Sequence, residues 1–170
     1  MREPYGGRMK PIPEPERPAA SGSAGSGEPT PIPAPAPVAY RLVNPTGTIP
    51  LLFLHGSFTD GPTGWSVQVT GLPPSCRLLL MDRRGHGQSP DSPPYTMAGD
   101  ARDALAVLDR VGWEAAHVVG HSYGALVALE MAILAPSRVL SLQLVEPPYL
   151  QLAAGDSAVV RLVEEVAALQ

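Results

Sequence analysis

Residues 120–124 of this 170-residue chain form a motif that can hold a reactive serine. They read G-H-S-Y-G and fit the G-x-S-x-G pattern of a nucleophile elbow, in which a serine lies on a sharp turn between a strand and a helix. The glycines at both ends let the backbone bend tightly and pack closely. A serine held in this way can attack a carbonyl carbon if a base takes its proton. We therefore interpret Ser122 as the position of a nucleophile.

The segments on either side of Ser122 have the composition that such an elbow requires. Residues 118–119 form a brief apolar strand before the serine, and residues 123–134 form an apolar helix that ends before Pro136. Because an apolar strand, a tight turn and a helix follow one another here, we favour the elbow over a tight turn with a capping serine.

Apolar strands and helical segments alternate through the rest of the chain. The helix that we expect over residues 96–111 has Thr96 as its capping residue and Gly112 as its stop. Continuous apolar strands alternating with helices indicate an α/β fold, with a mostly parallel sheet and helices on both faces. We predict strands over residues 39–43, 51–54, 77–81, 118–119 and 139–145, and helices over residues 96–111, 123–134 and 158–169.

Polar residues follow the ends of four predicted strands. They are His55-Gly56, residues 82–87, Ser122 and Glu146. Sites in open parallel sheets lie beyond the carboxyl ends of the strands, so we expect these residues to converge on one edge of the sheet.

Composition divides the chain into a tail and a folded part. Ten of the 21 prolines lie before Val38, and residues 21–27 are a Gly/Ser stretch. Such a segment buries too little apolar area to offset its ordering entropy, so we predict a disordered tail over residues 1–38. A proline-rich docking segment is the alternative interpretation. The folded part is expected to begin near residue 39.

Charge and apolar runs argue against several classes of function. Sixteen acidic and twelve basic residues give a net charge of −4, which argues against nucleic acid or an anionic membrane as a partner. No apolar run reaches the roughly 18 residues of a membrane-spanning helix, and no hydrophobic region follows the basic N-terminal residues, so we expect a cytoplasmic protein. Cys76 is the single cysteine, which we expect to be buried. It offers neither a disulfide framework nor a cysteine metal site.

Three motifs carry a resemblance to a known family. Residues 51–56 read L-L-F-L-H-G, residues 82–89 read D-R-R-G-H-G-Q-S, and residues 117–124 read H-V-V-G-H-S-Y-G. In this order they resemble the third strand with its oxyanion turn, the D-x-R-G-x-G-x-S loop, and the fifth strand with its elbow in the α/β-hydrolase family. The resemblance covers residues 39–150 and implies the N-terminal portion of an α/β-hydrolase fold.

The resemblance implies an esterase-like serine hydrolase that needs no cofactor or metal. Ser122 would attack the acyl carbonyl of a small-molecule substrate and form an acyl-enzyme. The backbone N–H groups of Ser57 and Tyr123 would form the oxyanion hole. Phe58 and Trp65 would line an apolar acyl pocket. A serine nucleophile favours esters, thioesters or amides, and argues against the family branches that use aspartate on haloalkanes and epoxides.

The four histidines have other roles in this resemblance. His55 is expected to support the oxyanion loop through side-chain hydrogen bonds, and His86 to order its glycine-flanked loop. His117 is expected to bond to nearby backbone, and His121 to point away from the position of the general base. In this family the order is Ser, then Asp or Glu, then His, and no histidine follows His121. The general base is therefore absent from this chain.

The acid member of the triad stays open. Glu146 ends the predicted strand after the elbow helix, where some family members place their acid. The alternative is a polar strand-end residue at the rim of the site. The acid lies more commonly after a further strand, which this chain lacks. We expect Asp82 and Arg84 to form an ion pair that orders their loop.

The incomplete triad suggests a C-terminally truncated domain. Residues 151–170 resemble the start of a lid or cap helix, and the strand over 139–145 would be an exposed apolar edge. Three explanations stay open: a fragment of a hydrolase, a hydrolase completed by a second chain that supplies the missing strands, or a degenerate hydrolase fold that serves as a binding module. We expect the chain alone to be inactive, because a serine without its base loses most of its activation.

Overall fold

The computed structural model describes residues 34–148, which form one five-stranded sheet with flanking helices. The strands are β1 (Tyr40–Val43), β2 (Ile49–Leu54), β3 (Cys76–Met81), β4 (Ala116–His121) and β5 (Val139–Val145). The helices are α1 (Gly61–Gly64), α2 (Ser66–Gly71), α3 (Met97–Arg110) and α4 (Tyr123–Leu134), and a 3-10 turn, Pro136–Arg138, leads into β5. The strand order is β1-β3-β2-β4-β5.

The sheet is mostly parallel. The central strand β2 pairs in parallel with β3 on one side and with β4 on the other, and β4 pairs in parallel with β5. β1 runs antiparallel to β3. Strands that are covered on both faces read as continuous apolar runs, and residues 51–54 of β2 have this composition. The α/β fold class predicted from the sequence is confirmed.

Helices cover both faces of the sheet. On one face, Leu52 and Leu54 of β2 join the core that forms with α3 and α4. On the other face, Phe53 packs in a second cluster with Trp65 and with Cys76, which is buried as expected. Side chains alternate along a strand, so successive residues of β2 enter opposite clusters. The carboxyl end of β2 is therefore held from both sides.

Helix α3 begins and ends as its sequence predicts. Thr96 caps it, because the Thr96 Oγ1 accepts a hydrogen bond from the Gly99 N–H at 3.0 Å. Gly112 has a φ of +71°, the left-handed conformation that commonly ends a helix. The bounds of α4 and β5 also match their predicted ranges. No helix in this part of the chain is long and apolar enough to cross a membrane.

The short helices α1 and α2 are absent from the sequence-based prediction. They contain four and six residues, too few for a helical period to show in the sequence. Asp60 caps α1 by accepting a hydrogen bond from the Thr63 N–H at 2.7 Å, and Pro62 lies in the first turn. An aspartate followed by a proline two residues later is a helix-start signal that could have revealed α1.

Two residues of the predicted tail pack into the core. Ala36 and Val38 are buried, and the Ala36 N–H donates to the Asp103 Oδ1 at 2.6 Å. The folded part therefore begins before residue 39. The remainder of the predicted tail, residues 1–33, lies outside the described residues. The predicted helix over 158–169 and the predicted lid over 151–170 also lie outside them.

Strand β5 forms one edge of the sheet built by residues 34–148, as expected. Leu140 is 56% exposed and Val145 is 38% exposed. The adjacent end of α4 exposes Ile133 as well. This side of the described domain therefore presents apolar side chains together with an unpaired strand edge.

Because α4 lies so close to β4, we expect a single methyl group added at Gly120 to destabilise the fold strongly. A Cβ at Gly120 would lie 2.6 Å from the Ala125 Cα and would also meet the Gly124 carbonyl oxygen. Because these neighbours are backbone atoms, we expect Gly120→Ala to lower the free energy of unfolding by about 3 kcal/mol. Urea denaturation followed by circular dichroism measures this change.

Gly71→Ala is the matched control for this substitution. A Cβ at Gly71 meets nothing within 4 Å, so this variant should change the free energy of unfolding by less than about 1 kcal/mol. Equal stability of the two variants would contradict the tight approach of α4 to β4.

Candidate active site

Ser122 lies on a strained turn between β4 and α4. Its backbone has φ +52° and ψ −122°, a conformation that costs a residue with a side chain on the order of 1–3 kcal/mol. The Ser122 N–H donates to the Val145 carbonyl at 2.9 Å, which ties the turn to the end of β5. The side chain makes no capping hydrogen bond to α4. The alternative of a capping serine is therefore wrong.

The two glycines of the motif explain why this turn can form. A Cβ at Gly124 would meet the Leu54 carbonyl oxygen and would lie 2.5 Å from the His55 carbonyl oxygen. The first turn of α4 thus rests directly on the backbone at the end of β2. Gly120 permits the matching approach of α4 to β4. Side chains at either position would push the helix away from the sheet.

The loop after β2 lies beside Ser122. A Cβ at Gly56 would lie 3.3 Å from the Ser122 Cβ and 3.2 Å from the His121 Nδ1. The motif of residues 51–56 and the elbow therefore meet at one edge of the sheet, at the carboxyl ends of β2 and β4. This is the convergence that the strand ends predict.

His55 is a fully buried support of this loop. Its Nδ1 lies 2.7 Å from the Gly56 carbonyl oxygen, and its Nε2 lies 3.0 Å from the Arg83 backbone nitrogen. The Arg83 N–H must donate, so Nε2 accepts and Nδ1 carries the proton that it donates to Gly56. Burial, with the nearby Arg83 charge, lowers the pKa of His55 from 6.5 to about 4. Both nitrogens of this neutral ring are therefore occupied, and the side-chain hydrogen bonds predicted for His55 are confirmed.

The Gly56 carbonyl is fixed from a second direction by Arg83, whose Nη2 donates to it at 3.2 Å. In a trans peptide the C=O and the following N–H point in opposite directions. Fixing the Gly56 carbonyl therefore also fixes the direction of the Ser57 N–H. The Ser57 carbonyl in turn lies 3.0 Å from the His86 Nε2. The first peptide group of this turn is thus held by two side chains, and the second contacts the His86 ring.

The two ring nitrogens of His86 face carbonyl oxygens on two loops, and a neutral imidazole can donate a hydrogen bond to only one of them. Its Nδ1 lies 3.0 Å from the Arg84 carbonyl oxygen. With either nitrogen protonated, the His86 ring lies between the loop after β3 and the loop after β2. The ring lies 5.1 Å from the His55 ring, centroid to centroid.

Tyr123 is the first residue of α4. The first N–H groups of a helix have no intrahelical acceptor, so the Tyr123 N–H is available beside Ser122. The Tyr123 ring lies under the Arg83 guanidinium, 4.5 Å from the guanidinium carbon to the ring centroid. Burial, with the nearby Asp100 carboxylate, raises the pKa of the Tyr123 hydroxyl.

The ion pair predicted between Asp82 and Arg84 is wrong. Arg84 forms a bidentate pair with Asp103 of α3, with both N···O distances at 2.8 Å. Asp82 instead accepts hydrogen bonds from the backbone N–H groups of Gly61 at 2.8 Å and Gln88 at 2.9 Å. Asp82 directly follows β3 and lies beside the backbone N–H groups of two turns, which bond to its carboxylate. The Arg84 side chain instead extends to α3.

A second buried pair joins Arg83 to Asp100 of α3 at 3.1 Å. Burial raises the pKa of Asp100, although the two nearby arginines oppose this shift. Sequence reasoning missed the pairing of Asp100 and Asp103 with the arginines. Both lie on the buried face of α3 with Ala104. Charged residues that recur on an apolar helix face are the signal that could have found these partners.

His117 and His121 lie on β4. The role predicted for His117 is wrong, because its Nδ1 lies 2.8 Å from the Ser141 side-chain oxygen rather than bonding to backbone. The register of β4 and β5 pairs these two residues directly, so their side chains meet. The His121 Nε2 lies 3.5 Å from a Glu146 carboxylate oxygen.

Glu146 directly follows β5 and has a φ of +49°. Its side chain is 82% exposed, so its carboxylate lies at the rim of the site. Of the two residues predicted to line a pocket, Phe58 is 86% exposed in the loop after β2. Trp65 is 4% exposed and packs on Phe53 at 4.9 Å between ring centroids, so it belongs to the core.

Comparison with known proteins gives the same fold. Residues 49–165 match the model of a family described as the alpha/beta hydrolase fold. The dihydrolipoyllysine-residue acetyltransferase component of the acetoin cleaving system of Cupriavidus necator is 41% identical over 102 residues, which are 59% of this chain and 27% of that protein. A putative carbamate hydrolase of Azorhizobium caulinodans is 37% identical over 107 residues, which are 62% of this chain and 40% of that protein.

Solved structures show the same likeness. A thermophilic esterase from Thermogutta terrifontis aligns with a TM-score of 0.58 and 29% identity, over 63% of this chain and 39% of that one. A hydrolase from Pseudomonas aeruginosa aligns with a TM-score of 0.55 and 35% identity, over 60% of this chain and 38% of that one. The chain spans less than half the length of each of these relatives.

The lowered pKa of His55 predicts a loss of stability in weak acid. Between pH 6.5 and pH 4 the unfolded chain takes up a proton on this residue that the folded chain does not. The free energy of unfolding should therefore fall by up to roughly 3 kcal/mol as the pH is lowered through this window. Urea midpoints measured at intervals of half a pH unit give the slope.

Two variants assign this slope to His55. His55→Gln removes the buried imidazole and should flatten the slope, although it lowers stability at pH 7. His117→Gln removes the β4 imidazole that bonds to Ser141 and should keep the slope of the parent chain. A His55→Gln variant with the full slope would contradict the assignment.

Proposed function

Because the chain belongs to the α/β-hydrolase fold family, we propose that it carries the nucleophile and the oxyanion hole of a serine hydrolase. The reaction is the cleavage of carboxylic esters or related acyl bonds through an acyl-enzyme. One observation carries the proposal: the strained Ser122 turn lies against Gly56, the residue before Ser57, with 3.3 Å between the Ser122 Cβ and a Cβ built on Gly56. This proximity supports a site in which the Ser122 hydroxyl and the backbone N–H groups of Ser57 and Tyr123 face one carbonyl group.

The chemistry follows from these groups. The Ser122 oxygen forms a bond to the acyl carbonyl carbon, and the carbonyl electron pair moves onto its oxygen. The N–H groups of Ser57 and Tyr123 donate hydrogen bonds to this oxyanion, and each such donor is worth about 3 kcal/mol in the transition state. The intermediate then expels the leaving group, which takes up a proton, and leaves an acyl-enzyme that water hydrolyses.

The proton of Ser122 needs a base that this chain does not carry. His55 has both ring nitrogens occupied, and His86 bonds to loop carbonyls. His117 contacts Ser141, and His121 contacts Glu146. No histidine follows His121 in the sequence. We infer that the 170-residue chain alone retains only the slow reaction that binding and an oxyanion hole support without a base.

The substrate class is proposed from the chemistry of the site and from the relatives. The relatives named as an esterase and as a putative carbamate hydrolase point to carbonyl carbons as the target. The exposed Phe58 ring follows the Ser57 donor directly and would contact the acyl group of a small-molecule substrate. Glu146 is the candidate acid, because it directly follows β5, whose last carbonyl accepts the hydrogen bond of the Ser122 N–H.

A second chain is the partner that the β5 edge would accept. The edge backbone of β5 is unpaired within residues 34–148, and Leu140 and Val145 are exposed along it. A polypeptide that adds strands here would pair this edge and could bring the missing base to Ser122.

A binding module without catalysis is the second candidate function. The contacts of the histidines in residues 34–148 favour it, because each ring bonds to or faces a group other than Ser122. A binding module must fold stably by itself, whereas a partial hydrolase domain would need a second polypeptide to cover its β5 edge. Solution behaviour therefore separates the two candidates.

Ester hydrolysis tests the proposed mechanism. We expect the purified chain to hydrolyse p-nitrophenyl acetate at no more than a few times the rate of the Ser122→Ala variant, because the serine lacks its base. The initial rate of p-nitrophenol release at pH 7 measures this. Robust turnover that Ser122→Ala abolishes would contradict the inferred lack of a base.

Self-association tests the proposed edge. We expect the chain to form oligomers or aggregates above micromolar concentration, and Leu140→Lys to shift it toward the monomer, since lysine blocks edge pairing. Size-exclusion chromatography with light scattering gives the mass. The matched control is Val67→Lys, because Val67 is 74% exposed on α2, away from this edge. A monodisperse parent chain that binds a small ligand would favour the binding module instead.

A further inference from the structure

The guanidinium of Arg83 connects the two sides of the candidate oxyanion hole. The Arg83 residue is 5% exposed. Its Nε donates to the His55 carbonyl at 3.2 Å, and its Nη2 donates to the Gly56 carbonyl at 3.2 Å. Its Nη1 pairs with the Asp100 carboxylate at 3.1 Å, and its plane lies over the Tyr123 ring at 4.5 Å. One side chain thus contacts the loop after β2, the first residue of α4, and α3.

We propose that Arg83 is a positioning residue that sets the direction of both oxyanion-hole N–H groups. The inference rests on the proposed function, since it assigns a role within that site. Within residues 34–148, the side-chain hydrogen bonds of Arg83 go to His55, Gly56, Asp100 and His86, and none goes to Ser122. Arg83 acts through the Gly56 carbonyl, which shares a peptide group with the Ser57 N–H, and through the ring of Tyr123.

The shape of the arginine side chain explains why it suits this position. A guanidinium is planar and holds its N–H donors in a fixed fork, so it can bond to two successive carbonyls and stack on a ring at once. Lysine has a single ammonium on a flexible stem and cannot make these contacts together. With the carbonyls of His55 and Gly56 both held, the intervening loop backbone has little freedom to rotate.

Asp100 balances the Arg83 charge in the interior. The Asp100 side chain is 1% exposed, and its Oδ2 accepts the Arg83 bond. A buried arginine without such a partner would be strongly unfavourable. Asp100 also lies 3.8 Å from the Arg84 Nε, while Arg84 makes its shorter contacts with Asp103. Two arginines and two aspartates therefore form a cluster of zero net charge.

The two adjacent arginines bond to different loops. Arg84 occupies the fixed arginine position of the D-x-R-G-x-G-x-S pattern, and Arg83 occupies its variable position. Arg84 donates to the carbonyls of Ser92 and Pro94, so it secures the far part of its loop. Arg83 is directed the other way, toward the elbow. The residue that supports the oxyanion loop therefore lies at a position where the motif does not specify the amino acid.

Hydrogen–deuterium exchange of the full chain tests this role. In Arg83→Lys we expect amide exchange in a peptide covering residues 55–58 to rise about tenfold, because two hydrogen bonds to the loop carbonyls are lost. Exchange in β4 and α3 should stay within about twofold of the parent chain, because their own hydrogen bonds are kept. Unchanged exchange at residues 55–58 would overturn the proposal.

Arg110→Lys is the matched control. Arg110 also donates to a backbone carbonyl, that of Val38 at 3.3 Å, and lies over a tyrosine ring, that of Tyr40 at 5.9 Å. It does not contact the site, so its substitution should leave exchange at residues 55–58 unchanged. An equal rise in both variants would show a general loss of stability and overturn the proposal.

A second variant covers the case in which Arg83→Lys fails to fold. Tyr123→Leu keeps the buried ion pair and the backbone N–H, and removes the ring beneath the guanidinium. Exchange at residues 55–58 should then rise about threefold, since the contact between the guanidinium and the ring that helps to hold Arg83 is lost. No change in this variant would overturn the proposal when Arg83→Lys is unfolded.

Labelling of Ser122 by a fluorophosphonate at alkaline pH, read by mass spectrometry, gives a readout that loop stability alone does not move. We expect Arg83→Lys to lower the labelling rate about tenfold, because misplaced donors no longer meet the developing oxyanion. Equal rates in Arg83→Lys and the parent chain would overturn the proposal. If Ser122 of the parent chain is labelled no faster in the folded state than in urea, the proposal that Ser122 is a nucleophile is wrong. The exchange data then still decide whether Arg83 holds the loop.

Discussion

The close approach of α4 to the ends of β2 and β4 is the constraint on which the rest of the site depends. Gly124 rests on the carbonyl groups of Leu54 and His55, and Gly120 rests on the first turn of the helix. With the helix this close, the connecting residue has no room for an ordinary turn, and Ser122 adopts a positive φ. The packing of the surrounding core on both faces of β2 offsets this strain.

A buried network of charged side chains holds the loops after β2 and β3 in place beside that turn. Arg83 and Arg84 pair with Asp100 and Asp103 of α3, so the helix on one face of the sheet fixes the loop after β3. That loop then holds the loop after β2 through His86 and Arg83. The site therefore depends on tertiary contacts from α3 as well as on the elbow.

Sequence predicted the elements with strong local signals. The elbow at Ser122, the apolar strands and the caps of α3 depend on neighbouring residues, so their types and spacing reveal them. The pairing of Arg83 with Asp100 depends on how α3 packs, seventeen residues away along the chain, and no local pattern specifies it. Asp82 and Arg84 are close in sequence, yet their side chains serve different elements.

The central proposal is that Ser122 is a nucleophile with an oxyanion hole, and that no histidine of residues 34–148 serves as its base. The pH dependence of Ser122 phosphonylation by a fluorophosphonate tests it most directly. Without a histidine base, hydroxide must remove the proton, so the logarithm of the rate should rise with a slope of about one from about pH 5 to pH 9. A plateau with an inflection between about pH 6 and pH 8 would show that a histidine of this chain acts as the base, and would contradict the account.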